Sequence, residues 1–192
     1  LEATASSAIV RPAINDSVLI KRFLDIGFQT LIIPFIQDGS EAKQAVASTR
    51  YPPEGIRGVA GTSRATRYGS ISDYANEAYK EICLILQLET IEALENLDDI
   101  ANTKGVDGLF IGPGDLAASL GYLGKPNHPE VKKVIKDTIL KIKALGKPVG
   151  IFSLDPEYAE ACFDDGVDFV AVAMDTNLLM KQSKQIISRF KK

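Results

Sequence analysis

The chain has 192 residues, with 22 Lys and Arg against 25 Asp and Glu, for a net charge of −3. That length suits one domain over residues 1–192, and a weakly acidic chain has no field to draw it onto nucleic acid or an anionic membrane. Hydrophobic residues at 45% and charged residues at 24% exclude disorder, and no apolar run approaches the ~18 residues of a membrane span.

The chain opens Leu1-Glu2-Ala3-Thr4, with neither Met nor the segments of a signal peptide. It reads as the tail of a helix under way, so residues before Leu1 are expected to be absent. Ala8-Ile9-Val10 is the first apolar, β-branched run. Asn15 or Asp16 then caps a helix with Leu19, Phe23 and Ile26 on one face, and Gly27 stops it. Further runs follow at Thr30-Leu31-Ile32-Ile33, Ile56-Arg57-Gly58-Val59, Cys83-Leu84-Ile85-Leu86 and Leu109-Phe110-Ile111. Pro129 starts a helix in which Val131, Val134, Ile135, Thr138, Ile139, Ile142 and Leu145 keep helical spacing, and Gly146 ends it. After Val149-Gly150-Ile151-Phe152, Asp155-Pro156 opens another helix and Gly166 closes it. Phe169-Val170-Ala171-Val172 is the last run.

Apolar runs without alternation suit strands buried on both faces, as in parallel sheets. Seven runs at roughly 27-residue spacing, alternating with helices, predict a βα repeat. Eight such units make a TIM barrel of typically ~250 residues. The predicted fold is therefore a (β/α)8 TIM barrel lacking its first βα unit. An open doubly wound sheet would show a Gly-rich turn after the first strand, and Arg11-Pro12-Ala13-Ile14-Asn15 is not one. Cys83 and Cys162 form neither a disulfide nor a zinc pattern. They read as small core residues of a reducing compartment, and the expected location is cytoplasmic.

Barrel chemistry sits just past the C-terminal strand ends. Those positions hold Arg11, Gln87-Leu88-Glu89, Gly112-Pro113-Gly114-Asp115, Ser153 and Met174-Asp175. Glu89 and Asp115 are two carboxylates on neighbouring strands. With waters and a chelating substrate they suit Mg²⁺ or Mn²⁺. Equally, Glu89 could pair with a loop cation, or Asp115 could cap its turn. Asp175 could equally be a ligand, but it precedes Thr176 at a helix start, where capping is the ordinary role. Arg11 could stabilise an oxyanion or form a salt bridge to Glu89 or Asp115. The N–H groups of Gly114 and Asp115 open a short helix and could hold a carboxylate. All 15 lysines fall on predicted helices, in loops or before a strand, so none is placed to form a Schiff base. The one histidine, His128, precedes Pro129 and reads as a helix cap.

Several segments carry a family resemblance. They are Arg50-Tyr51-Pro52-Pro53-Glu54-Gly55-Ile56-Arg57-Gly58-Val59, Leu84-Ile85-Leu86-Gln87-Leu88-Glu89-Thr90, and Gly105 through Leu116 (GVDGLFIGPGDL). Val10-Arg11-Pro12 and Leu24-Asp25-Ile26-Gly27 add to them. Together they resemble the HpcH/HpaI family of class II pyruvate aldolases. The resemblance implies a metal-dependent barrel that cleaves a 4-hydroxy-2-oxoacid reversibly to pyruvate and an aldehyde. By it, Glu89 and Asp115 hold a divalent metal (Mg²⁺, Mn²⁺ or Co²⁺), and Gln87 with the Gly114 and Asp115 backbone contacts the pyruvate part. Arg11 stabilises the enolate. Asp25 matches an Asp that raises the basicity of a His after the family's first strand, a His that this sequence lacks. Phe152 stands beside the aldehyde pocket where a Leu-like residue is expected, and Gly114 replaces a common Ala or Ser. The family also implies a homo-hexamer that exchanges C-terminal helices, here Thr176 to Phe190. A related aldolase of 2-keto-3-deoxy sugar acids shares nearly every motif. A lyase of CoA thioesters would need a basic nucleotide site that is not found. A non-catalytic barrel used for assembly is the remaining alternative, and intact Arg11, Glu89 and Asp115 argue against it.

Overall fold

The structure is a computed structural model that describes residues 4–191. Most of the helix-tail reading of residues 1–4 lies outside the described residues. Six strands form one sheet: β1 (Ile9–Val10), β2 (Thr30–Ile33), β3 (Cys83–Leu88), β4 (Gly108–Ile111), β5 (Val149–Phe152) and β6 (Phe169–Ala171). All neighbours are parallel and the order in the sheet is the order in the chain. The result is an α/β half-barrel of six strands.

Helices return the chain between strands. The principal ones are α1 (Ser17–Asp25), α2 (Gly39–Thr49), α3 (Tyr74–Glu77), α4 (Ile91–Glu95), α5 (Leu97–Asn102), α6 (Pro113–Ser119), α7 (Pro129–Ala144), α8 (Pro156–Asp164) and α9 (Asp175–Phe190). Their ends follow from local chemistry. The Asp16 carboxylate accepts from the N–H groups of Val18 and Leu19 at 2.9 and 2.8 Å, and so starts α1. Gly27 ends that segment with φ of +99°, where a side chain would be strained. His128 caps α7 by accepting from Glu130 N–H at 3.3 Å, the role read from the sequence. No helix among the described residues is long and apolar enough to cross a membrane.

Alternation along each strand divides the core. Leu84, Leu86 and Leu88 point outward with Leu31, Ile33, Leu109 and Ile151, and pack with Ile20, Leu24, Ile100, Ile135 and Ile139. Each such buried side chain contributes on the order of 1.5–3 kcal/mol. The inward set is smaller: Ile32, Ile85 and Phe110, with Cys83, Phe152 and Phe169 against them. Cys83 is therefore half-buried on the concave face, whereas Cys162 is fully buried; both are free thiols.

The predicted third run is not a strand. Ile56 and Val59 are 60% and 70% exposed. The N–H groups of Ile56 and Arg57 go to the carbonyls of Ala47 and Arg50, and β2 pairs directly with β3. So among the described residues the strands number six rather than seven, and the seven-run count behind the missing first βα unit does not hold. The segment serves to bury Arg57, whose side chain is fully enclosed. Arg57 Nη2 donates to Asp25 Oδ1 at 2.8 Å, Lys21 pairs with the other Asp25 oxygen, and the guanidinium stacks 4.5 Å from the Tyr51 ring centre. Removing one partner leaves a buried charge uncompensated, so Asp25→Ala is expected to cost about 3–5 kcal/mol by denaturant unfolding. An unchanged unfolding midpoint would show the pair to be dispensable.

Candidate active site

The period-two alternation of β3 places Cys83, Ile85 and Gln87 on the concave face, and continues to Glu89 just past the strand end. β4 lies beside β3 and delivers Gly112, then Asp115 in the first turn of α6. β1 ends at Val10, so Arg11 stands at the same rim. Arg11, Gln87, Glu89 and Asp115 therefore meet at one edge of the half-barrel, as the sequence suggested.

Glu89 is 3% exposed. Its Oε2 accepts from the Phe35 N–H at 3.0 Å and its Oε1 from Gln87 Nε2 at 2.8 Å. Burial pushes its carboxyl up, and the neighbouring Asp115 adds to this. The Phe35 N–H and the Arg11 charge work the other way, and the balance is a pKa of about 7. The Arg11 charge thus reaches Glu89, but Arg11 forms no ion pair with Glu89 or Asp115 among the described residues.

Gly112 is the floor of the site. A Cβ there would lie 2.6 Å from Glu89 Oε1 and 2.9 Å from Gln87 Nε2. Only glycine lets the two side chains lie across the end of β4. Pro113, which has no N–H, takes the first helical position of α6. Gly114 and Asp115 follow with N–H groups that the first turn leaves free for a ligand. The N-cap is Gly112, so Asp115 does not cap this turn.

This donor set fits a hard divalent cation. Buried Glu89 lies beside exposed Asp115, whose charge adds to the burial that raises the pKa of Glu89; a cation would relieve that opposition. No group of three or more His, Cys, Asp or Glu surrounds them among the described residues. Two protein oxygens leave positions for water and substrate, the habit of Mg²⁺ and Mn²⁺.

A family model, HpcH/HpaI aldolase/citrate lyase, matches residues 1–182. The chain belongs to this family. It is 55% identical to a pyruvate aldolase of Rhizobium etli over 96% of this chain and 72% of that one. It is 46% identical to a 4-hydroxy-2-oxo-heptane-1,7-dioate aldolase of Escherichia coli, over 96% and 71% of the two chains. A solved HpcH/HpaI aldolase/citrate lyase family protein from Burkholderia cenocepacia superposes with a TM-score of 0.90 at 37% identity, over 96% and 73%. The chain is thus a carbon–carbon lyase of the pyruvate and hydroxy-oxoacid aldolase family.

The remaining sequence candidates fall elsewhere. Asp25 ends α1, at the opposite end of the βα unit from the strand tips, and is held there by Arg57 and Lys21. Phe152 is half-buried at the end of β5 and packs on the concave cluster. Ser153 is engaged with the backbone of Asp155 and structures the turn into α8. Asp175 is the first residue of α9 rather than its N-cap, which is Met174; its Oδ1 accepts from Thr176 N–H at 2.7 Å. Sequence reasoning missed Phe35, whose backbone holds Glu89. Its signal was the turn after β2, where Pro34 closes the apolar run.

Proposed function

We propose that the protein catalyses reversible, metal-dependent aldol cleavage of a 4-hydroxy-2-oxoacid to pyruvate and an aldehyde. The substrate taken from its relatives is 4-hydroxy-2-oxoheptanedioate, which yields succinic semialdehyde. The reading is carried by one observation: Glu89 and Asp115 converge with Arg11 and Gln87 at the concave rim. In this reading the six strands are part of a (β/α)8 barrel, the protein works in the cytoplasm, and it engages neither nucleic acid nor membrane.

Glu89 and Asp115 would hold Mg²⁺, Mn²⁺ or Co²⁺, which when bound supplies a Lewis acid for the 2-oxoacid oxygens. Gln87 and the N–H groups of Gly114 and Asp115 orient the pyruvate portion. A base, acting through water, takes the proton from the 4-hydroxyl as the bond between C3 and C4 breaks. That electron pair passes to C3 and on to the keto oxygen, giving an enolate and releasing the aldehyde. Arg11 opposes the negative charge that develops on that oxygen. Asp25 serves the base, from one subunit toward the site of a neighbour, because it is remote from its own rim.

Offering pyruvate with a panel of aldehydes, and following carbon–carbon bond formation by NMR, tests the activity. A 4-hydroxy-2-oxoacid product is expected with succinic semialdehyde. No product with any aldehyde would refute the reading.

The proposed assembly is a homo-hexamer with swapped α9 helices. Supporting it, α9 buries none of its residues, and Leu179 and Phe190 are 70% and 82% exposed. Stranded apolar side chains of this kind call for a partner surface. Light scattering should give six times the chain mass of 20.8 kDa; a monomeric mass would exclude the swap.

A further inference from the structure

The residue after Pro34 adopts an unusual backbone. Phe35 has φ of +54°, in the left-handed region. For a bulky residue this is a strained conformation that glycine would take freely. Its neighbours leave it little choice. Pro34 and Ile36 are buried on either side, and the Ile36 N–H is tied to the Gln87 carbonyl at 3.2 Å. The turn aims the Phe35 N–H at Glu89 Oε2, 3.0 Å away. Glycine would serve that purpose without strain, so the hydrogen bond does not account for a benzyl side chain here.

Nor does the core account for it. Phe35 is 49% exposed and belongs to neither apolar cluster. Its ring begins three bonds from the nitrogen that touches Glu89. In the sheet order, β2 and β5 flank the β3 and β4 tips that carry Glu89 and Asp115. Phe35 therefore stands on one flank of the site and half-buried Phe152 on the other. Strained, exposed and adjacent to chemistry is the pattern of a side chain kept for contact with a ligand.

We propose that Phe35 is a specificity-determining residue, and that its ring takes the apolar carbon chain of the aldehyde half of the substrate. This rests on the aldol reading above. Glu89, Gln87 and the start of α6 engage the pyruvate half, and the rest of the molecule must leave that rim past a flank. An exposed aromatic wall favours methylene or aryl groups over small hydroxylated ones.

The test compares kcat/KM for condensation of pyruvate with hexanal and with glycolaldehyde, in the wild type, Phe35→Gly and Phe35→Leu. Phe35→Gly retains the turn and its N–H but removes the ring. It should lower the hexanal-to-glycolaldehyde ratio by at least about 10-fold, the scale of losing apolar pocket contact. The loss should appear mainly in KM for hexanal, and Phe35→Leu should recover most of it. Thermal unfolding of Phe35→Gly should be no lower than wild type, because the strain is gone. If Phe35→Gly folds poorly, the Phe35→Leu ratio against wild type decides alone, with a smaller drop expected. A ratio unchanged in both variants overturns the proposal and leaves the aldol reading standing. A wild type that condenses neither of these two aldehydes but accepts succinic semialdehyde overturns the proposal alone; one that condenses no aldehyde with pyruvate overturns both.

Discussion

Glu89→Gln is expected to lower aldol turnover by at least about 10²–10³-fold, the scale of losing one preorganised electrostatic contact at a reacting oxyanion. The substitution keeps the shape of the side chain and removes its charge. Glu89 is enclosed, so water cannot replace what the carboxylate contributes. A chelator should abolish wild-type activity, and Mg²⁺, Mn²⁺ or Co²⁺ should restore it. Gly112→Ala gives a graded version of the same loss. Its new Cβ would press on Glu89 and Gln87 at 2.6 and 2.9 Å and turn the ligand away from Asp115. Displacing the support of a ligand typically costs 10–100-fold in metal affinity, so more metal should be needed for half-maximal activity. Borohydride with pyruvate should label no lysine, since none of the six strands carries one. Activity that survives exhaustive chelation, or a reduced adduct on lysine, would rule this chemistry out.

The parts of this structure that could be read from sequence are those with a one-residue physical cause. Asp16 and Gly27 bracket α1, and Pro129 and Gly146 bracket α7, because capping and left-handed geometry depend on few residue types. The rim was legible for a similar reason. Once β3 and β4 are placed, alternation sends Gln87 and Glu89 to one face. The segment at 56–59 misled because Ile56 and Val59 look like a strand interior, while its buried residue is the charged one between them. Arginine is almost never fully buried unless paired, and its partner Asp25 lies 32 positions earlier in sequence. For Phe35 the sequence marked the turn at Pro34 but not the strained backbone, for the opposite reason. Its backbone is dictated by what surrounds it, against the preference of its own side chain. Strain imposed by tertiary structure leaves no mark in composition or periodicity.

The rim and Asp25 should control different reactions, and their separation in space makes the difference measurable. Aldol cleavage needs a base for the 4-hydroxyl as well as stabilisation of the enolate. Decarboxylation of oxaloacetate needs only the second: carbon dioxide departs, and the electron pair passes to the same pyruvate enolate. In the proposed mechanism Arg11 faces that enolate in both. Arg11→Ala should therefore damage both reactions by about 10²–10³-fold. In that mechanism Asp25 acts only through the base. Asp25→Asn should lower aldol cleavage by about 10²–10⁴-fold, the usual worth of general acid–base catalysis, with a far smaller effect on decarboxylation. Asn retains an oxygen for Arg57 and Lys21 but not the charge that both of them face. Loss of structure must therefore be separated from loss of chemistry, by comparing variants with matched unfolding midpoints and oligomeric mass. A fold defect would lower both rates together; a defect in proton transfer lowers one. If Arg11→Ala leaves both rates intact, Arg11 does not face the enolate, and the charge it directs at Glu89 has a structural purpose alone. If Asp25→Asn lowers both rates equally at an unchanged midpoint, Asp25 belongs to the same machinery as the rim, and the assignment of separate roles is wrong.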